Sequence, residues 1–245
     1  MRARQIRVDD RGAIYVHVRT RATLAEALEA AGLPSPGPVL VVVGGAGRLD
    51  AAELRRLTPL FRDGLVPALE RVGAVAVDGG TDAGVMRLLG DAREDSSASF
   101  PLVGVAAEGT VRLPGATSDR ANTADLAPHH THFVLVPGDQ WGDESSWITA
   151  TASHLAGDAP SLTVLVNGGD IAYRDATLSV ETGRPLLVIR GSGRAADDIA
   201  SAVRGEPCDR RAHQIVTSGL VTCVDVDDPG EVGAAVSAAL QLPTS

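Results

Sequence analysis

The sequence predicts an α/β domain built on a doubly wound, mostly parallel sheet. Three observations lead there. Short runs of Val, Leu, Ile and Ala recur along the chain, and they are continuously apolar, as strands covered on both faces are. Segments of helical spacing separate them, which is the alternation of βαβ units. Four of the runs end in glycine-marked turns, and glycine permits a tight reversal from strand to helix.

The first 35 residues read as an appendage, with AIYVHV at 13–18 suited to a short strand and 23–32 to a helix closed by Gly32. LPSPGP then leads into VLVVVGG, 39–45, the first core strand. Helical spacing runs from about 50 to 72. Pro59 and Pro67 predict two pieces or a kink there, since proline lacks a donor and clashes with the preceding turn. AVAVDGG (74–80) is the second strand, a helix opens within 81–92, and LVGVAA (102–107) is the third strand. The polar stretch 108–131 has no period and reads as mostly irregular. HFVLVP then makes a fourth strand and 145–155 a helix. LTVLVNGG (162–169), a helix about 171–181, PLLVIRGSG (185–193) and a helix from about Arg194 continue the pattern. HQIVTSGLVTCVDV supplies one or two late strands before a last helix near 232–240. The expected division is an N-terminal strand–helix extension, 1–36, packed on a main domain, 37–245.

At 245 residues, 44% hydrophobic and 22% charged, the chain has a globular profile. With only 3% aromatic residues, close-packed aliphatic layers are expected rather than an aromatic-lined groove. A net charge of -9 argues against general nucleic-acid binding, which needs a basic surface. It leaves room for a nucleotide, because backbone amides at a helix start can hold a phosphate. No stretch reaches the roughly 20 apolar residues of a membrane span. MRARQIRVDD lacks the apolar core of a signal peptide, so the expectation is a cytoplasmic protein without membrane insertion. Cys208 and Cys223 are too few for a disulfide scaffold or a cysteine-rich metal site.

The four turns are Gly44-Gly45-Ala46-Gly47, Gly79-Gly80-Thr81-Asp82-Ala83-Gly84, Pro137-Gly138 and Gly191-Ser192-Gly193-Arg194. In a parallel sheet they leave at one edge, where ligands of such folds bind. Arg48 and Arg194 each close a G-x-G-R and can add charge-assisted bonds to phosphate. Singly, each turn is equally a plain strand-to-helix reversal. Neither a full G-x-G-x-x-G with its following acid nor a G-x-x-x-x-G-K-[ST] loop is present. As a set they mark a shared anion or nucleotide site.

VLVVVGGAG, GAVAVDGGTDAGVMRLLGDA, PLVGVAAEGTV, HTHFVLVPG and RPLLVIRGSGRAADDIA resemble successive blocks of the prokaryotic SLOG domain, also called LSDAT, related to melastatin-type TRP channels. The resemblance covers roughly 39–201 and implies a Rossmann-like module whose ligand is ADP-ribose, another NAD-derived molecule or a nucleoside monophosphate. The same superfamily includes the Lonely-guy phosphoribohydrolases and lysine-decarboxylase-like proteins, with the signature P-G-G-x-G-T-x-x-E. PGDQWGDESSW resembles it in part: Pro137 and Gly138 match, Asp139 replaces the second glycine, and one residue is inserted before Gly142. Asp143 stands in place of Thr, and Glu144 follows without the two-residue gap.

Within that resemblance Glu144 is the candidate acid or base at a ribose, with Asp139 a second carboxylate; Arg120 lies a similar distance before the P-G turn as the Lonely-guy arginine, or is a plain surface arginine. The plain alternative makes Asp143 and Glu144 helix-start charges. Trp141, in the loop, is expected either to stack on an adenine or to cover the pocket, whereas Trp147 packs its helix on the sheet. Thr81 or Asp82 orients ribose or phosphate, unless Asp82 merely caps its helix; Glu108 either binds ribose hydroxyls or opens a solvated loop. Asn167-Gly168-Gly169-Asp170 either lines the same edge or is fully explained as a turn and a cap. His129, His130 and His132 read as solvated or strand-edge residues, not a metal site, which usually needs three or four ligands.

Three functions follow as expectations. One is binding or sensing of a nucleotide-derived ligand, the second N-glycosidic or phosphoribosyl hydrolysis through Glu144, and the third a structural module with no small ligand. A sensor of this length implies a homo-oligomer or a separate effector to carry its signal.

Overall fold

The computed structural model describes residues 2–115 and 122–241. Its nine-stranded sheet runs in the order β1-β2-β8-β5-β4-β3-β9-β10-β11. Every neighbouring pair is parallel except the β1–β2 hairpin, Arg4–Val8 with Arg11–His17. The central strand β3 (Val39–Gly44) lies between β4 (Val75–Asp78) and β9 (Ser161–Val166). From β3 the chain first winds outward through β4, β5 (Leu102–Ala107) and β8 (His132–Val136). It then returns to β9 on the other flank and winds through β10 (Leu186–Arg190) to β11 (Val221–Asp225). The winding direction therefore reverses between β3 and β9, the place where open α/β sheets leave a crevice at their carboxyl edge.

The apolar runs are continuous because both faces of the sheet are covered. On β3, Val39, Val41 and Val43 enter one core, shared with α1 (Leu24–Ala30), α5 (Ser145–Ala156), α6 (Asp170–Glu181), α7 (Arg194–Val203) and α8 (Arg210–Val216). Leu40 and Val42 enter the other, with α2 (Ala51–Pro59), α3 (Val66–Val72), α4 (Gly84–Asp95) and α9 (Pro229–Leu240). A smaller cluster of Val8, Ala13, Leu126, Phe133 and Leu135 seals the β2–β8 side.

The element reading holds with local differences. The 50–72 segment, interrupted by Pro59 and Pro67, is one helical run whose middle, Leu60–Leu65, is π-helical. There Gly64 lies against the Pro229 carbonyl, so α9 seats directly on the widened turn. Asp50 opens the run, accepting from the amides of Ala52 and Glu53 while Glu53 bonds back to the Asp50 amide, which satisfies three orphan donors. Of the late segment, 213–216 closes α8 rather than forming a strand: Asp209 caps it through the Arg211 amide, and Ala212 and Ile215 bury its inner face. β1 has no sequence counterpart above because it is an edge strand with little buried surface. The irregular 108–131 region contains a two-residue parallel pair, β6 (Val111–Arg112) with β7 (Ala124–Asp125), clasped by Arg112 on Asp125. Among the described residues, no helix is long and apolar enough to cross a membrane.

Candidate functional site

A cavity of about 580 Å³ opens at the carboxyl ends of β3 and β9, at the reversal point. Its floor is the turn Gly44–Arg48. Gly45 donates its amide to the Val166 carbonyl, which fixes the turn to β9, while the amides of Ala46, Gly47 and Arg48 have no acceptor among the described residues. Opposite, the first turn of α6 presents the amides of Asp170, Ile171 and Ala172, the orphan donors every helix start leaves. Six backbone donors and the positive end of a helix dipole thus face one space, an arrangement suited to an anion.

Two guanidinium groups join them. Arg48 and Arg194 both line the cavity and make no hydrogen bond or ion pair with a described residue. Arg194 reaches across α6 because Gly169 has no side chain: a Cβ there would lie 2.7 Å from Arg194 Nη2. The arginine also has φ 52°, a left-handed backbone that costs a non-glycine residue about 1–2 kcal/mol. The remaining wall is mixed: Thr81, Asn122 and Asp170, whose carboxylate is held by Arg211 at 2.7 Å, stand among Ala83, Ala124 and Ala172. Trp141, 37% exposed, and Ile171, 38% exposed, both lie on the rim.

Of the residues picked out in the sequence, Gly44, Gly45, Gly47, Arg48, Thr81, Trp141 and Arg194 line this cavity together. Others hold it from behind. Gly84 has φ +50, and a Cβ on it would collide with the Gly45 carbonyl, which accepts the Val85 amide at 2.9 Å; α4 is therefore docked onto the floor turn. Ser192 accepts the Asn167 amide at 2.7 Å, Gly193 lies against the Asn167 side chain, and Gly191 donates to Asp197. The amides of Ala195 and Ala196 are spent on the carbonyls of Gly168 and Asn167, so the start of α7 braces α6 instead of offering donors. Gly79 and Gly80 form the turn before Thr81, where the Gly80 amide donates to Asp78.

The rest stand apart. Pro137 and Gly138 leave β8, three places from β3 and so ~14 Å across the sheet. Glu108 pairs with His17 at 2.6 Å and Arg19 at 3.2 Å, tying β5 to β2 away from the cavity. Asp82 caps nothing: its carboxylate is taken by Arg87 at 2.7 Å, and the helix begins after Ala83 without a side-chain cap. Asp139 is exposed on the loop after β8. Arg120 lies outside the described residues.

Glu144 does not line the cavity. Both of its oxygens accept from the Gly142 amide, at 3.1 and 3.0 Å, and burial raises its carboxyl above the usual range, with Asp143 adding and Arg174 opposing. Asp143 closes the same loop on the amides of Asp139 and Gln140, so neither acid caps α5. Behind Glu144, burial pushes the Asp175 carboxyl up to about 7, opposed by nearby Ser145 and reinforced by Glu144.

The histidine reading needs correction. His130 is buried, stacks on Phe133 and meets Asp78 at 2.7 Å, because the chain entering β8 passes beneath the Gly79–Gly80 turn instead of over the surface. His129 pairs with Asp91 at 3.3 Å and His132 with Thr131 at 2.8 Å. No group of three or more His, Cys, Asp or Glu side chains among the described residues is placed to hold a metal.

Sequence reasoning allowed the turn of Gly169 and Asp170 a place on this edge but set it aside as fully explained, and did not single out Ile171. The available signal was the second glycine, which a helix cap alone does not require.

Comparison with known proteins adds relatives. Transient receptor potential cation channel subfamily M member 2 of Mus musculus is 29% identical over 204 residues, covering 69% of this chain and 13% of the channel. The Rattus norvegicus channel is 28% identical over 204 residues with the same shares. Subfamily M member-like 2 of Nematostella vectensis is 27% identical over 207 residues, again 69% and 13%. The chain thus spans only a small part of these channels. The family described as "SLOG in TRPM, prokaryote" matches residues 37–234, which takes in every strand from β3 to β11, and the chain belongs to that family of nucleotide-binding SLOG-type modules.

Proposed function

We propose that the chain binds a nucleotide-derived ligand, ADP-ribose, another NAD-derived molecule or a nucleoside monophosphate, at the ends of β3 and β9. The observation that carries the reading is the polarity of the cavity. One side has the amides of Ala46, Gly47 and Arg48 and of the first turn of α6, with the Arg48 and Arg194 side chains, none of which has a partner among the described residues; the other has exposed Trp141 and Ile171. Phosphate suits the first side, and a flat base with its π-face suits the second. A volume of about 580 Å³ is in the range of small-ligand sites.

Thermal-shift screening against NAD, ADP-ribose, cyclic ADP-ribose forms, AMP and other nucleoside monophosphates, with product analysis of each hit, tests this. A ligand at one hundred times its Kd stabilises by about 2.7 kcal/mol, an easily read shift. A flat screen sinks the reading. Signal output runs, in this reading, through a homo-oligomer or a separate effector, and a ligand-dependent change in size-exclusion profile is the expected mark of the first.

A further inference from the structure

The loop carrying Trp141 is fastened by acids. Asp143 Oδ2 accepts from the amides of Asp139 and Gln140 at 3.0 and 3.1 Å, and both Glu144 oxygens accept from Gly142. Gly142 rests on α6, where a Cβ would lie 3.5 Å from Ile171 Cγ1 and from Arg174 Nη1. One turn along α6 from Ile171, partly buried Asp175 lies beside Glu144 and Ser145, and its buried Oδ1 has no partner among the described residues. Two carboxyls therefore share a water-poor position. One is fixed in a core helix and the other sits at the base of a loop.

We infer that Asp175 and Glu144 are positioning residues for Trp141. With a proton on the pair, Glu144 holds Gly142 down and the indole stays on the cavity rim; with none, Glu144 swings out and the loop is freed.

The direction follows from the environment. Burial raises both carboxyls, and the Glu144 charge raises Asp175 further, so ionising both is the costly state. When both are ionised, one must move toward water. Asp175 cannot, because α6 packs against α5, β3 and β9. Glu144 can, at the cost of its two bonds to the Gly142 amide. The charged groups acting on Asp175 are Glu144 and Arg174, and those acting on Glu144 are Asp143 and Arg174. The helices packed on the other flanks of α6 direct theirs elsewhere, Asp198 of α7 to Tyr173 and Arg211 of α8 to Asp170. The consequence for ligand affinity, weaker binding as pH rises through about 7, rests on the binding reading above. The loop transition does not.

The test uses no ligand, so its failure is distinct from a flat screen. In a Trp147→Phe background, Trp141 is the sole tryptophan, and its emission and acrylamide quenching are followed from ~pH 5 to ~pH 9. One reversible transition to greater quenching, centred near 7 with far-UV circular dichroism unchanged, is expected. Asp175→Asn abolishes it, and so does Glu144→Gln, which removes the charge that would be expelled but keeps an acceptor for Gly142. The inference is overturned by a parent without a transition, by one that survives Asp175→Asn or ignores Glu144→Gln, or by one that coincides with global unfolding. Should Asp175→Asn not fold, the parent profile and Glu144→Gln still decide.

Discussion

Asp175→Asn is expected to change the slope of stability against pH, and the structure sets the size of the effect. Burial pushes this carboxyl from its usual 3.8 up to about 7. The unfolded chain therefore releases the proton near 3.8 while the native chain keeps it to about 7. Between those values the unfolded state binds fewer protons, so stability falls as pH rises through the window and levels off above it. Complete, the loss is about 4 kcal/mol at 1.36 kcal/mol per pH step, an upper figure because local relaxation relieves part of it. An Asn amide carries no charge and removes this slope, but it adds buried donors at a cost of about 1–3 kcal/mol that does not vary with pH. The two stability curves are thus expected to cross, with the variant weaker near ~pH 4 and stronger near ~pH 8. Urea unfolding of both proteins across that range measures this. Parallel curves would refute the argument, and so would a variant weaker at every pH by the same amount.

Arg194→Ala and Arg48→Ala should each weaken binding of a phosphate-bearing ligand about tenfold, the worth of a charge-assisted bond, with circular dichroism unchanged; calorimetric titration reads it. Arg194→Gly should at the same time raise the melting temperature slightly, since glycine adopts φ 52° without strain. Gly84→Ala should cost about 1–3 kcal/mol in chemical unfolding and abolish ligand-induced stabilisation, because its Cβ displaces the Gly45 carbonyl and with it the cavity floor. Asp78→Ala should cost at least about 1–3 kcal/mol, leaving the His130 ring and the Gly80 amide without their acceptor in a dry interior; denaturant unfolding decides.

The core strands were legible because both faces of the sheet are buried, so β3 to β5 and β8 to β10 appear as unbroken apolar runs. β1 was not, for the opposite reason: an edge strand with four residues unburied shows no pattern that burial imposes. The site was legible in part. Gly44 to Arg48 and Arg194 stood out through glycines that a close backbone approach requires. Which exits converge was hidden, because strand order is set by long-range pairing. Parallel strands side by side carry no sequence mark of their neighbour, so nothing local told that β3 meets β9 while β8 lies three places away. Nothing therefore favoured the Asp170 turn over the β8 exit, and Glu108 and Gly138 were counted in.

The same topology bears on the acid in the Pro137–Trp147 stretch. A hydrolytic Glu144 needs one oxygen free and aimed at an anomeric carbon or its attacking water. Here both oxygens are turned onto the Gly142 amide, two residues back along the same loop. What the loop sends toward the cavity is Trp141, a side chain with no proton to trade and a large face to stack. Glu144→Gln is accordingly expected to leave ligand binding at acidic pH within about threefold of the parent, while Trp141→Ala loses tenfold or more, about 1–3 kcal/mol of stacking. Free base released from a bound nucleotide by the parent and not by Glu144→Gln would reverse that assignment and make the buried carboxyl the working group.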